Sequence, residues 1–375
     1  MPCPAQPVAR SRTAAAATAA RATLATALAI LLPGCETPPL VERSLQAPPM
    51  LLLPVQQTAL HDGRARFREI FCAVLQARAG TGCEQALVAL ADEPAAPARP
   101  VDLAPSRAGL QVLFVMGLAS DCARNGDLVA DEMLAPLAQQ GYAARVLTMS
   151  GLAGSAENAR RLRDALLEMP AADTAEPGRR VVLVAHSKGV VDSLEALVTH
   201  PEIRSRVAAL VSLAGAVGGS PLANLAPDGL AHLLQEALGA DCDPGDLQAF
   251  QSLKPAVRQR WLAENRLPPD VGYYSVVALP APGRLSTGLR GPGHLLDRID
   301  LRNDGNLLAQ DQVIPQGTLL ALVNADHWAV MTRMQASPKA AVRALADRND
   351  FPRPALVEAA LRYVEERQFG AGAPR

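Results

Sequence analysis

Residues 181–189 constrain this chain more than any other stretch. An unbroken apolar run, Val181-Val182-Leu183-Val184, passes through Ala185-His186-Ser187-Lys188-Gly189 directly into a helical pattern over 189–198. An apolar run this short, without alternation, reads as a strand buried on both faces. The same punctuation recurs on either side. Residues 110–116 are apolar but for Gln111 and end at Gly117, 127–140 have helical period, and 142–149 suit a strand. Residues 156–169 form a helical pattern with an arginine-rich polar face, 208–213 and 319–323 are strand-like, and 355–369 close the chain as a helix. Strands that alternate with helices return each time to the same end of their sheet. The predicted fold class is therefore α/β, a mostly parallel sheet with helices on both faces, whose ligands bind beyond the carboxyl ends of the strands.

Composition excludes several other readings. The chain has 375 residues, 49% of them apolar and 19% charged, enough to bury a sizeable core and unlike a disordered chain. Thirty-six basic residues against 37 acidic ones, with 3% aromatic residues, supply neither a cationic stripe for phosphates nor platforms for bases, so nucleic acid is not an expected partner. Residues 218–269 are too long for a plain loop in a compact fold. Leu230, Leu233, Leu234 and Leu238 have helical spacing there, and a basic run extends from Lys254 to Trp261. Residues 218–270 are thus expected to be a helical cap inserted between sheet strands, with a packed accessory helix as the plainer reading.

A serine on so tight a strand-to-helix turn is forced into strained backbone geometry that lifts its hydroxyl above the sheet. Small residues two before and two after it keep strand and helix from colliding, and Ala185 and Gly189 meet that need. This elbow resembles that of the α/β-hydrolase family, in the Ala-x-Ser-x-Gly form of some bacterial lipases. A plain helix N-cap is the alternative role for Ser187. The resemblance implies a nucleophile followed in chain order by an acid and a histidine base. His327, in the loop after the 319–323 run, fits the base, with His294 its rival. Asp304, in Asn303-Asp304-Gly305, fits the acid, with Asp311 and the weaker Asp300 as competitors, while Asp326 adjoins His327 too closely to reach its Nδ1. The resemblance also assigns the oxyanion hole to two backbone N–H groups, that of Lys188 after the nucleophile and that of Leu118 in Met116-Gly117-Leu118. The Lys188 side chain is expected on the surface.

The first 34 residues differ from the rest. They carry Arg10, Arg12 and Arg21 and no acidic residue, then an apolar run over 23–32, then Pro33-Gly34-Cys35. This is the layout of an export signal, too short to span a bilayer, and it resembles a bacterial lipoprotein signal with Cys35 as the lipidated residue. Residues 35–56, with Pro38-Pro39 and Pro48-Pro49, read as an extended tether, and 57–105 as an N-terminal helical segment plus a Pro/Ala linker ahead of the main domain over 106–375. Phe67, Ile70, Phe71, Val74 and Leu75 give that segment one packing face. Export leaves Cys72, Cys83, Cys122 and Cys242 in an oxidising compartment, an even set that suggests two disulfides. Cys72 with Cys83, close in sequence around a glycine-containing turn, is the favoured pair, which leaves Cys122 with Cys242. Free buried thiols are the alternative, and no C-x-x-C pair supplies zinc spacing.

These readings lead to an exported, membrane-anchored serine hydrolase of carboxylic esters that works through an acyl-enzyme without a cofactor. Its expected place is the bacterial cell envelope, facing the periplasm or on the outer membrane, with secretion as the alternative. An acyltransferase or thioesterase would use the same residues, and a non-catalytic envelope lipoprotein would use only the fold. Acyl-chain length and oligomeric state are not legible.

Overall fold

The computed structural model describes residues 60–369 except 80–81, 91–92, 123, 170–179, 228, 239–241 and 349. The 1–34 signal segment, Cys35 and the 35–56 tether lie outside the described residues. In chain order the first elements are β1 (His61–Asp62), α1 (Arg64–Ala79), β2 (Gln111–Val115), α2 (Asn125–Gln139), β3 (Ala143–Leu147), α3 (Ser155–Glu168), β4 (Val181–His186) and α4 (Lys188–Thr199). There follow β5 (Val207–Leu213), α5 (Leu230–Leu238), α6 (Ala249–Ser252), α7 (Pro255–Glu264), β6 (Gly272–Ala278), α8 (Thr287–Asp297), β7 (Thr318–Val323), α9 (Ala340–Leu345) and α10 (Arg353–Phe369). The seven strands form one sheet in the order β1-β7-β6-β5-β4-β2-β3, with every pairing parallel.

The order of the strands decides where chemistry can occur. The chain leaves β2 for β3 on one side, then crosses back over β2 to β4 and continues toward the other edge. The connections leaving β2 and β4 therefore diverge, and a crevice opens between their carboxyl ends. Register sharpens this: Val115 of β2 pairs with Ala185 of β4, so the residues that follow each strand emerge side by side.

The central strands read as apolar runs because helices cover both of their faces. On one face Phe67, Ile70, Phe71, Val74 and Leu75 of α1 pack with Val129, Met133 and Leu137 of α2 and Leu356, Ala360 and Val364 of α10. The helix that sequence periodicity placed ahead of the main domain thus shares the core of the sheet. On the other face Leu162 and Leu166 of α3, Val190, Leu194 and Leu197 of α4 and Leu262 of α7 cover Leu113, Leu183 and Leu210. Pro255 begins α7, where a missing N–H costs nothing. Its Arg258 is 2% exposed, donates from Nε to the Val217 carbonyl at 3.2 Å and lies 4.5 Å over the Trp261 ring. Part of the basic run of the 218–270 insertion is therefore buried packing on the sheet layer. Two disulfides join Cys72 to Cys83 and Cys122 to Cys242, with Cα separations of 5.1 and 4.1 Å.

Candidate active site

Ser187 sits between β4 and α4 at φ 55° and ψ −125°, a positive φ that a non-glycine residue adopts only under tertiary constraint. The constraint is visible in its backbone. The Ser187 N–H donates to the Leu213 carbonyl at 3.3 Å, and its carbonyl accepts from Ala216 at 3.1 Å and from Val190 at 3.2 Å. Glycine is required on both sides of the elbow. A Cβ on Gly189 would lie 2.3 Å from the Val115 carbonyl oxygen, and one on Gly117 would lie 2.8 Å from the Ser187 Cβ and 3.0 Å from the Lys188 nitrogen. The ends of β2 and β4 consequently touch backbone to backbone, which brings the turn that carries Leu118 beside Lys188.

His327 follows β7, and Asp304 lies in the loop after α8. The His327 Nε2 is 2.9 Å from the Ser187 Oγ, and its Nδ1 is 2.7 Å from the Asp304 Oδ2. All three residues are buried, Asp304 fully. The other Asp304 oxygen, Oδ1, accepts the backbone N–H groups of Asn306 at 2.8 Å and Leu307 at 2.7 Å. A carboxylate accepts, so the tautomer that satisfies this network has the His327 proton on Nδ1 and a bare Nε2 facing the serine. The backbone joins the same groups, since His327 N–H donates to the Asp304 carbonyl at 3.0 Å.

Asp326 cannot serve His327 because its carboxylate is engaged elsewhere. Oδ1 accepts from the Trp328 and Ala329 N–H groups and Oδ2 from that of Ser286, which ties the His327 loop to the start of α8. The rivals are also placed. Asp300 is bound by Arg302 in a buried pair at 2.8 Å. The Asp311 carboxyl lies against Gly218, and His294 is exposed on α8 beside Asp297. Burial pushes the Asp311 carboxyl up to about 7.

The Leu118 and Lys188 backbone N–H groups have no acceptor among the described residues, so both are free to receive an oxyanion. The surroundings hold the Leu118 turn in place. Ala119 N–H donates to the Gly151 carbonyl, and Asp121 accepts from the Gly151 and Asp243 N–H groups at 3.0 and 2.9 Å. The Cys122–Cys242 disulfide fastens the same loop to the 218–270 insertion. Both groups of metal-ligating residues found among the described residues contain a disulfide, Cys72–Cys83 with Glu84 and Cys122–Cys242 with Asp121, so those sulfurs are oxidised.

The side chain of Lys188 corrects the sequence expectation. It is 1% exposed, and its Nζ lies 2.7 and 2.9 Å from the two carboxylate oxygens of Asp192, one helical turn on. Asn158 of α3 donates to the same carboxylate at 2.8 Å and to the Ser150 carbonyl at 2.9 Å. Burial raises the Asp192 carboxyl, against the opposing pull of Lys188 and Asn158. A lysine enters the interior only when paired, and here its partner is supplied by helical spacing.

Sequence reasoning passed over one further residue. His186, the last of β4, is buried, and its Nε2 lies 2.8 Å from the backbone carbonyl of His327, the rings 4.9 Å apart. Burial first, and then the neighbouring His327, depress its pKa to about 3. Its position before Ser187 was the available signal, but its partner is 141 positions away.

Similarity to known proteins follows this geometry. The structure matches that of a metagenomic carboxyl esterase with a TM-score of 0.77 and 39% identity, over 86% of this chain and 97% of the other. It also resembles the mature form of a Bacillus licheniformis lipase at 26% identity and a TM-score of 0.48, over 62% of this chain and 91% of the lipase. Lipase 1 from Pelosinus fermentans is similar at 13% identity and a TM-score of 0.47, over 68% of this chain and 98% of that one. No protein-family model and no curated protein matches the chain. At 39% identity across nearly the whole length of the first of these proteins, the chain belongs to the α/β-hydrolase family, among its esterases. The parallel sheet with helices on both faces accords with that membership.

Proposed function

We propose that this protein hydrolyses carboxylic esters through an acyl-enzyme on Ser187, and that it does so as an exported protein anchored to the cell envelope through lipid on Cys35. The observation that carries the catalytic reading is the unbroken line from the Asp304 Oδ2 through His327 to the Ser187 Oγ, with contacts of 2.7 and 2.9 Å. In this reading the Ser187 oxygen attacks the ester carbonyl carbon as its proton passes to His327 Nε2. The carbonyl oxygen becomes an oxyanion and accepts the Leu118 and Lys188 N–H groups, each donor contributing about 3–4 kcal/mol to the transition state. Collapse expels the alcohol, which takes the proton from His327. Water then attacks the acyl-enzyme with His327 again as base, and the carboxylic acid leaves. Asp304 keeps the imidazole in the productive tautomer and stabilises the cation that forms on it.

Hydrolysis of a chain-length series of nitrophenyl esters by wild type and Ser187→Ala tests this reading. The variant is expected to fall to background with an unchanged fold, and retention of more than roughly a tenth of the rate would refute the assignment. Adding an alcohol acceptor and measuring which product accumulates separates hydrolysis from acyl transfer.

Export and anchoring are supported by the charged and then apolar 1–34 segment that ends before Cys35 and by two disulfides, which persist in oxidising compartments. Each buried methylene of an attached acyl chain contributes about 0.8 kcal/mol to membrane binding. Cys35→Ser is expected to move the protein from the membrane fraction to the soluble one, and full sedimentation of the variant would end the lipid reading.

A further inference from the structure

His186 is a buried titratable group beside the nucleophile that the reaction steps above do not use. A backbone carbonyl only accepts, so the short contact to the His327 oxygen requires the His186 tautomer with hydrogen on Nε2. That bond closes a second connection among the reacting residues. The His327 N–H is held by the Asp304 carbonyl at 3.0 Å, and the His327 carbonyl is held by His186 at 2.8 Å. The peptide groups on both sides of the base are therefore tied, one to the residue of the acid and the other to the residue covalently joined to the nucleophile. The side-chain line and this backbone line run in parallel. Distortion of one is resisted by the other.

We infer that His186 is a positioning residue for ester hydrolysis, a neutral donor that holds the backbone of His327 at the distance from Ser187 at which its Nε2 takes the serine proton. Neutrality is what the role demands. When His327 becomes an imidazolium, a second cation 4.9 Å away would oppose the charge that the transition state creates. The depression of the His186 pKa to about 3 keeps it uncharged throughout the neutral range. The titratable group that faces it is His327, and among the described residues no carboxylate hydrogen-bonds or ion-pairs with His186.

The inference rests on the reading of Ser187, His327 and Asp304 given above, and three substitutions test it separately. His186→Gln keeps an N–H donor at the position of Nε2, His186→Asn keeps a buried amide that falls short of it, and His186→Leu removes the donor at similar volume. Kinetics on a short nitrophenyl ester, the rate of labelling by a fluorophosphonate and the melting temperature are measured for each. The glutamine variant is expected to keep kcat within about threefold of wild type, while the asparagine and leucine variants lose roughly 10–100-fold in kcat and in labelling rate with KM nearly unchanged. A merely structural role would lower the melting temperature of all three without separating glutamine from asparagine. Should the leucine variant fail to fold, the comparison of glutamine with asparagine stands by itself. Equal activity of glutamine and asparagine variants, whether both high or both low, overturns the inference. Failure of the underlying triad would appear instead as activity in Ser187→Ala, whatever the His186 variants do.

Discussion

Asp304→Asn is the substitution whose consequence follows most directly from the hydrogen-bond geometry. The new side chain is nearly isosteric, so the surroundings need not move, but it carries one acceptor and one donor where the carboxylate had two acceptors. The two backbone N–H groups of Asn306 and Leu307, at 2.8 and 2.7 Å, decide its orientation, because only the amide oxygen satisfies them. The NH2 group is then turned toward His327 at the place where Oδ2 accepted at 2.7 Å. A donor facing Nδ1 forces that nitrogen to be the acceptor and transfers the imidazole proton to Nε2. The nitrogen 2.9 Å from the Ser187 hydroxyl then has no lone pair to take its proton. Placing a triad histidine in the wrong tautomer costs about 10,000-fold in kcat, or about 5 kcal/mol. Asp304→Ala orphans the same two N–H groups but leaves the tautomer free, so it is expected to retain more activity than the asparagine variant and to be less stable. Steady-state kinetics on a soluble ester and thermal melts of both variants decide the matter. An asparagine variant within tenfold of wild type, or one more active than the alanine variant, would refute the argument from pinned amide orientation.

Two further results are expected. Asp192→Asn leaves the Lys188 ammonium buried without a counter-charge and should cost about 3–5 kcal/mol in a denaturant titration, while the double change with Lys188→Met should recover part of that loss. Equal stability of the single and double variants would argue against a paired charge. Asp311 has a folded pKa raised from 3.8 to about 7 by burial, so folding favours its protonated form. Its stabilising contribution is complete below pH 3.8 and is lost as the pH rises through 7. Asp311→Asn should therefore leave stability unchanged at pH 3.5 and raise it by about 2–4 kcal/mol at pH 8, measured as the difference between melts at the two values. A gain of the same size at both would show that burial of the carboxyl is not the cause.

Much of the fold is legible in local pattern, and the exceptions share a cause. β4 and β7 are continuous apolar runs, and α4 shows clear helical period, because an element buried by its neighbours in space must still present apolar residues at its own repeat. β6 was not read. It lies between the helical insertion and a glycine-rich stretch, and nothing in Gly272–Ala278 says that it pairs in the sheet between β5 and β7. β1 is a strand of two residues, below what any periodicity registers. At the site, the elbow is readable because its glycines answer a short-range collision. The burial of Lys188 is not, because lysine belongs on surfaces unless a partner such as Asp192 is also enclosed by another helix, here α3 through Asn158.

The residue order by itself determined that strands alternate with helices, that Ser187 stands on a strained turn, and that an aspartate and a histidine follow it in loops. These are consequences of sterics and periodicity acting over a few neighbouring residues. The resemblance favoured Asp304 over Asp311 and His327 over His294, but only tertiary structure decided that these two meet, that Asp326 anchors a loop to Ser286, and that His186 holds a carbonyl 141 positions later. Those choices depend on the lateral order of parallel strands, which brings chain segments together through backbone pairing and a shared apolar core, and so leaves no local mark in the sequence.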